Sequence, residues 1–171
     1  KPTLIRMSMG EVPPDEGTCE WGMNTDVGYM PQEHEDTIEI GNTIDTWLHG
    51  YKPGADLEDI RGLLGRMLFR GDEGKKSTNV LSGGERVRML FCKMMLLRHN
   101  TLVLDEPTNH LDLESISALA EGLAAYKGTL FIVTHDRNLL AEACDRIWFV
   151  DDNSILDFRG SYADFQARHG S

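Results

Sequence analysis

The stretch Thr101-Leu102-Val103-Leu104-Asp105-Glu106-Pro107-Thr108-Asn109-His110-Leu111-Asp112 decides how the rest of the chain is read. Thr101 to Leu104 is a short apolar run with the length and composition of a buried strand. It ends in two consecutive carboxylates. In open α/β sheets, ligands sit at the carboxyl ends of the strands. Adjacent negative charges placed there are costly without a cation. In phosphoryl-transfer enzymes one acid at this place holds Mg²⁺ and its neighbour orients the attacking water. Asp105 and Glu106 are therefore the first candidates for chemistry, although an apolar run followed by Asp-Glu is a weak motif by itself.

Downstream the pattern repeats. Leu113 to Tyr126 reads as a helix with Ile116, Leu119, Ala120, Leu123 and Ala124 on one side. Leu130 to Thr134 is a second apolar strand, ending at Thr134-His135-Asp136. Arg137 to Cys144 is predicted as a helix, Ile147–Val150 and Ile155–Phe158 as a hairpin, and Ser161 to His169 as a terminal helix. Strand, helix, strand, helix, strand implies an α/β fold with a parallel sheet core and crossover helices. His135, at a strand end, could touch a terminal phosphate, but a lone histidine is more often structural.

Upstream, Leu81-Ser82-Gly83-Gly84-Glu85 opens a helix whose residues Val87, Leu90, Phe91, Met94 and Met95 share one apolar face. Two glycines at a helix start expose backbone N–H groups to an anion. The plainer reading is a capping box, Ser82 capping and Glu85 reaching back. Further forward, Thr43 to His49 is a short helix, and Asp56 caps another carrying Leu57, Ile60, Leu64, Met67 and Leu68. Thr18 to Trp21 and Val27 to Met30 read as strands, Pro31 to Asp36 as a polar loop, and Leu4 to Met9 as the tail of a helix ended by Gly10.

The bulk numbers bound the function. The 171 residues carry a net charge of -11, which argues against a general nucleic-acid binder, since phosphate contacts need Lys and Arg. Arg86, Arg88, Lys93 and Arg98 cluster in one stretch, and a solvated helix face accounts for them more simply than a basic patch. Cys19, Cys92 and Cys144 are odd in number and form no CxxC, so neither a disulfide framework nor a zinc site is indicated. They read as reduced thiols of a cytoplasmic protein. No apolar run is long enough to span a bilayer. The chain starts Lys1-Pro2-Thr3, with neither initiator Met nor signal peptide, and is expected to be part of a longer one.

Taken in their order along the chain, these motifs resemble the ATP-binding-cassette family. Leu81 to Glu85 is similar to its signature sequence, Leu102 to Glu106 to Walker B, and Asn109-His110-Leu111-Asp112 to the D-loop. His135 is similar to the switch histidine, and Gln32, in Tyr29-Met30-Pro31-Gln32, to the Q-loop glutamine. The Asn-His-Leu-Asp form and the closing Gly160-Ser161-Tyr162-Ala163-Asp164-Phe165 resemble the ABC-F subfamily, soluble proteins with two cassettes and no membrane domain that act on ribosomes. The short segment from Gln32 to Leu81 leaves no room for an arm insertion, which suggests a second cassette.

The resemblance implies a division of the chain and a set of roles. Residues 1–32 would be the remnant of the ATPase core and 33–80 the helical subdomain. Residues 81–171 would hold the signature helix, Walker B, D-loop, switch and C-terminal hairpin and helix. ATP and Mg²⁺ would be the ligands. Asp105 and Gln32 would serve Mg²⁺, Glu106 would polarise the attacking water, and His135 would contact the γ-phosphate. Ser82, Gly83, Gly84 and Glu85 would reach a nucleotide on a partner cassette, and Asp112 would couple the two sites. Partners of the parent would be that second cassette and the ribosome with its rRNA and tRNA.

Lys1 and Thr3 fall where the end of the phosphate-binding loop belongs, but the loop's glycines and preceding strand are missing. Pro2 stands in place of the Ser/Thr that binds Mg²⁺, with neither hydroxyl nor N–H. This piece alone is accordingly expected to bind ATP weakly. The alternatives are the nucleotide-binding subunit of a membrane transporter, against which the D-loop form argues, and a catalytically incomplete regulatory cassette.

Overall fold

The computed structural model describes residues 2–33, 38–151 and 154–169. At its centre is a parallel sheet of three strands, β1 (Val27–Met30), β2 (Thr101–Asp105) and β3 (Thr129–Val133), in the order β1-β2-β3. All five residues of β2 are buried, as a strand covered on both faces requires. Val27 pairs with Thr101 and Met30 with Leu104; Thr101 pairs with Thr129 and Asp105 with Val133. Asn100 fixes the entry to this register: its carboxamide accepts from the Asp26 N–H at 2.8 Å and donates to the Asn24 carbonyl at 2.7 Å.

Helix α1 (Pro2–Ser8) leans on β2. Between β1 and β2 the chain builds α2 (Ile44–Tyr51), α3 (Leu57–Arg66), two 3₁₀ turns (Gly71–Lys75 and Thr78–Val80) and α4 (Gly83–Leu97). Thr43 caps α2 and Asp56 caps α3, each through its side-chain oxygen. The apolar stripe of α4 joins both parts. Met30, Leu102 and Leu104 from the sheet share one core with Phe91 and Met94 of α4 and with Leu48, Ile60 and Leu64 beyond it. Arg98, at φ 58, ends α4 in the left-handed conformation.

After β2, helix α5 (Leu113–Ala124) crosses to β3 and buries Ser115, Ala118, Leu119, Ala120 and Leu123. Helix α6 (Arg137–Ala143) packs on α5, and an antiparallel hairpin of β4 (Arg146–Val150) and β5 (Ile155–Arg159) follows. The last helix, α7 (Tyr162–His169), sets Phe165 against Phe149 and Phe158 of the hairpin. Phe131 of β3 meets Trp148 edge-on, ring centroids 5.6 Å apart. Unlike β2, β3 is only partly covered, and its far edge pairs with no strand among the described residues.

The expected α/β fold with parallel core and helical segment is therefore present, with two corrections. Thr18 to Trp21 forms no strand: these residues are exposed, and Trp21 instead donates its indole N–H to the Ser8 carbonyl at 2.6 Å. Two of the four basic residues expected on a solvated helix face are instead engaged, while Arg98 is exposed. Arg88 donates to the Met67 carbonyl at 2.8 Å and lies over the Phe69 ring, and Lys93 lies over Tyr51, 3.9 Å from the ring centroid. Both are spent on joining α4 to the helical segment. Of the expected loop from Pro31 to Asp36, residues 34–36 lie outside the described residues, as does Lys1.

Candidate functional site

The register of the sheet brings three chain segments to one end. Asp105 closes β2; beyond it Glu106 takes a left-handed conformation, φ 49, while its N–H still donates to the Val133 carbonyl at 2.7 Å. A non-glycine residue in that region is costly and persists where its surroundings hold it. The consequence is that the chain turns sharply while the Glu106 side chain stays at the strand end. Its carboxylate lies 3.3 Å from Nε2 of His135. The Glu106 side chain is 13 % exposed and that of His135 74 %, so the acid is enclosed and the imidazole stands at the rim. Thr108 and Thr134 hydroxyls meet at 3.4 Å, and Asp136 caps α6, its own N–H held by Thr134. Gln32, exposed, follows β1 by two residues and so reaches the same end of the sheet.

Asp105 is 6 % exposed. Burial pushes its carboxyl above the usual carboxylate range. Among the described residues no hydrogen-bond donor reaches it. The Tyr29 hydroxyl is raised too, first by burial and then by the negative charges of Glu11 and Asp105. A buried carboxylate with little compensation is what a cation would satisfy. No group of three or more His, Cys, Asp or Glu able to cage a metal occurs among the described residues. The donor set therefore fits Mg²⁺ held by one or two carboxylates plus substrate phosphates, and not an all-protein cage. Cysteine chemistry is disfavoured: burial pushes the Cys92 thiol up to about 12 and raises Cys144 as well.

Ser82 to Glu85 form a second constellation. Ser82 caps α4 and accepts the Glu85 N–H at 3.2 Å, while the Glu85 carboxylate accepts the Ser82 N–H at 2.8 Å. The capping box and the Gly-Gly helix start thus coexist. Gly83 and Gly84 let α4 approach the loop after β2: a Cβ on Gly84 would stand 3.1 Å from a Leu111 methyl and 3.4 Å from the His110 carbonyl. Asp112 caps α5 through the Ser115 N–H at 2.8 Å, and hydrogen bonding from the Ser115 side chain, then from that N–H, holds its carboxyl below the usual range. Tight backbone bonds, Asn109 N–H to Glu106 and Leu111 N–H to Thr108, span the distance between the two constellations. Thr3 is an exposed residue of α1.

Two contributors escaped the sequence reading. Tyr29 sits on β1 within electrostatic reach of Asp105. Lys76 pairs with Glu85 at 2.7 and 3.0 Å. Neither has a local sequence signal; only the nine-residue return of the chain before α4 brings Lys76 to Glu85.

A parallel sheet that gathers two acids and a histidine at its carboxyl end, beside a Gly-Gly helix start, defines a nucleotide-binding α/β domain. The ABC transporter family matches residues 1–109, and the chain belongs to this family of ATP-binding cassettes. It is 43% identical over 171 residues to the probable ATP-binding protein YbiT of Escherichia coli O157:H7, covering 99% of this chain and 32% of that one. It is 36% identical over 163 residues to ABC transporter F family member 5 of Arabidopsis thaliana, covering 95% and 24%. Among solved structures, archaeal ribosome recycling factor aABCE1, in complex with ribosomal stalk protein aP1, superposes with a TM-score of 0.72 at 26% identity, over 86% of this chain and 29% of that one. The RNase-L inhibitor shares the fold, with a TM-score of 0.75 at 23% identity, over 98% and 34%. The chain spans about a third of the length of the first of these curated relatives. No described helix is long and apolar enough to cross a membrane.

Proposed function

We propose that this chain is the catalytic part of an ATP-hydrolysing ABC-F cassette. The observation that carries the reading is the Glu106 carboxylate held 3.3 Å from His135 Nε2 at the end of a buried central strand. Glu106 accepts a proton from the attacking water as it adds to the γ-phosphorus, and the bond to ADP breaks. His135, at the rim, donates to a γ-phosphate oxygen and keeps the glutamate aimed. Asp105 and Gln32 would hold Mg²⁺, which would supply positive charge against the nucleotide's phosphates. Thr3, exposed on α1, is read with Lys1 as the end of the phosphate-binding loop.

Residues 1–32 and 81–171 are read as the ATPase core and 33–80 as the helical subdomain. Ser82, Gly83 and Gly84 are exposed or half-buried at a helix start, and present N–H groups to a nucleotide on a second cassette, with Asp112 between the two sites. The relatives named F family members, and the ribosome recycling factor among the structural neighbours, support ribosomes as the parent's partner and the cytoplasm as its location.

The test is Glu106→Gln in the full-length protein. Turnover is expected to fall about 10²–10⁴-fold, the usual contribution of a positioned base, with ATP binding retained. Retained ATP should also hold the variant on ribosomes during sedimentation. Unchanged turnover in the variant would falsify the assignment.

A further inference from the structure

Glu85 stands in the signature turn, yet both of its oxygens are already engaged. Oε1 is 2.7 Å and Oε2 3.0 Å from the Lys76 ammonium, and Oε2 also accepts the Ser82 N–H at 2.8 Å. The pair is not a loose surface contact: the Lys76 side chain is 35 % exposed and that of Glu85 13 %. Exposed ion pairs contribute little because water competes and two long side chains must be ordered. Here the carboxylate is enclosed while the ammonium is half-buried, and one carboxylate joins two donors, which strengthens each bond.

Lys76 is itself anchored to the other half of the helical segment. Its carbonyl accepts the Ile44 N–H at 3.1 Å, at the start of α2, and the next residue, Ser77, bridges to Thr43. Glu85 is on α4, whose first turn rests on His110 and Leu111 through Gly83 and Gly84. The ion pair is therefore a strut from the start of α2 to the start of α4.

We propose that Lys76 is a positioning residue that sets the Ser82-Gly83-Gly84 turn through Glu85, so that Glu85 braces the turn and does not itself contact nucleotide. The inference rests on the reading of that turn as the surface offered to the partner cassette's ATP. A turn that must present N–H groups to a phosphate has to be held before the phosphate arrives, since ordering it on contact would cost affinity for the closed state. Burial alone would raise the Glu85 carboxyl, but the hydrogen bonds from Lys76 and from Ser82 outweigh it and hold the group below the usual range. Glu85 is thus a charged brace at neutral pH.

The experiment compares Lys76→Met, Lys76→Arg, Glu85→Gln and the Lys76→Met/Glu85→Gln double variant in the full-length protein. ATP turnover and amide hydrogen exchange at Ser82 and Glu85 are both measured. Lys76→Met is expected to lower kcat roughly 5–30-fold, the range that one or two lost interactions represent. KM should stay close to wild type, because the turn acts after nucleotide has bound its own cassette, while Tm falls modestly with the loss of a half-buried ion pair. Lys76→Arg should restore most of the rate, and the double variant should be no worse than the worse single one, as two ends of one strut require. Amide exchange at Ser82 should quicken in Lys76→Met and not in Lys76→Arg. Multiplying losses in the double variant, or a lowered Tm with kcat intact, overturns the proposal. If the wild type hydrolyses no ATP, the proposed activity fails, and the exchange rates alone decide whether Lys76 holds the turn.

Discussion

Asp105 is held against two demands. A strand end in the middle of a sheet must be dry, and the Mg²⁺-holding role proposed for Asp105 needs a charged carboxylate. The first demand is visible in its titration, since burial raises its pKa from the ordinary 3.8. The sign follows directly. For an acid whose pKa is raised on folding, the folded state binds its proton more tightly, so stability is lost as pH climbs through 3.8 toward the folded value. At neutral pH the full cost is present. Asp105→Asn keeps the shape and removes the charge. It is expected to stabilise the ligand-free fold at pH 7 by about 1 kcal/mol, roughly 2–4 °C in Tm for a chain of this size. The gain should shrink to nothing as the pH is lowered toward 3.8, where wild type is protonated as well. Mg²⁺-dependent nucleotide binding should weaken in the same variant, a trade of function against stability. Calorimetry across pH checks this, and an Asn variant less stable than wild type at pH 7 refutes it. Glu85 shows the opposite sign: its pKa is lowered, so its stabilisation is present above the ordinary 4.5 and disappears as pH falls through the folded value.

At the scale of elements, what could be read in advance was what local chemistry dictates. Thr101 to Leu104 lies in β2 because a short apolar run of strand length suits a strand covered on both faces, and Asp56 and Ser82 became caps because their side chains satisfy orphan N–H groups nearby. Thr18 to Trp21 failed because a strand needs a neighbour to pair with, and a four-residue pattern carries no information about that. Asp105, Glu106 and His135 were legible as strand-end residues. The left-handed turn at Glu106, the Lys76 strut and the Arg88 and Lys93 contacts were not, since each depends on chain segments that meet only after folding. Close approach of helices is equally invisible in sequence, and Gly122 of α5 illustrates its cost. A Cβ there would stand 2.8 Å from a Phe91 ring carbon and 2.9 Å from the Met67 methyl. Helix propensity favours Gly122→Ala by about 1 kcal/mol. Overpacking against a buried ring opposes it by roughly 1–3 kcal/mol. Phe91 is boxed in and cannot yield, so the variant is expected to lose stability, by about 1 kcal/mol net in denaturant unfolding. A stabilised variant would mean that α5 slides freely on α4.

Across the whole molecule, the charge is unevenly spread. Between residues 7 and 51 lie ten of the 28 acids and none of the 17 Lys and Arg residues, so nearly all of the net charge of -11 belongs to this first part. The remainder of the chain is close to neutral, and several of its cations are already engaged: Lys76 by Glu85, Arg146 by Asp157, Arg70 by Glu114 and Lys75 by Asp72. RNA affinity comes mainly from cations that displace counterions from phosphates, with a salt slope of about 0.7 per phosphate neutralised on a single strand. A surface built this way cannot neutralise many. If the parent works on ribosomes, its grip on rRNA must come from parts other than this cassette face. On the proposed function, this chain would contribute the ATP-dependent step and not the affinity. The 171-residue chain is accordingly expected to bind a single-stranded RNA oligomer with a log–log salt slope of no more than about 1–2, and to release it at roughly 0.15 M salt. Fluorescence anisotropy over a salt series measures the slope. A slope near 4 or above would require about six neutralised phosphates, which would move the ribosome-binding surface onto this cassette.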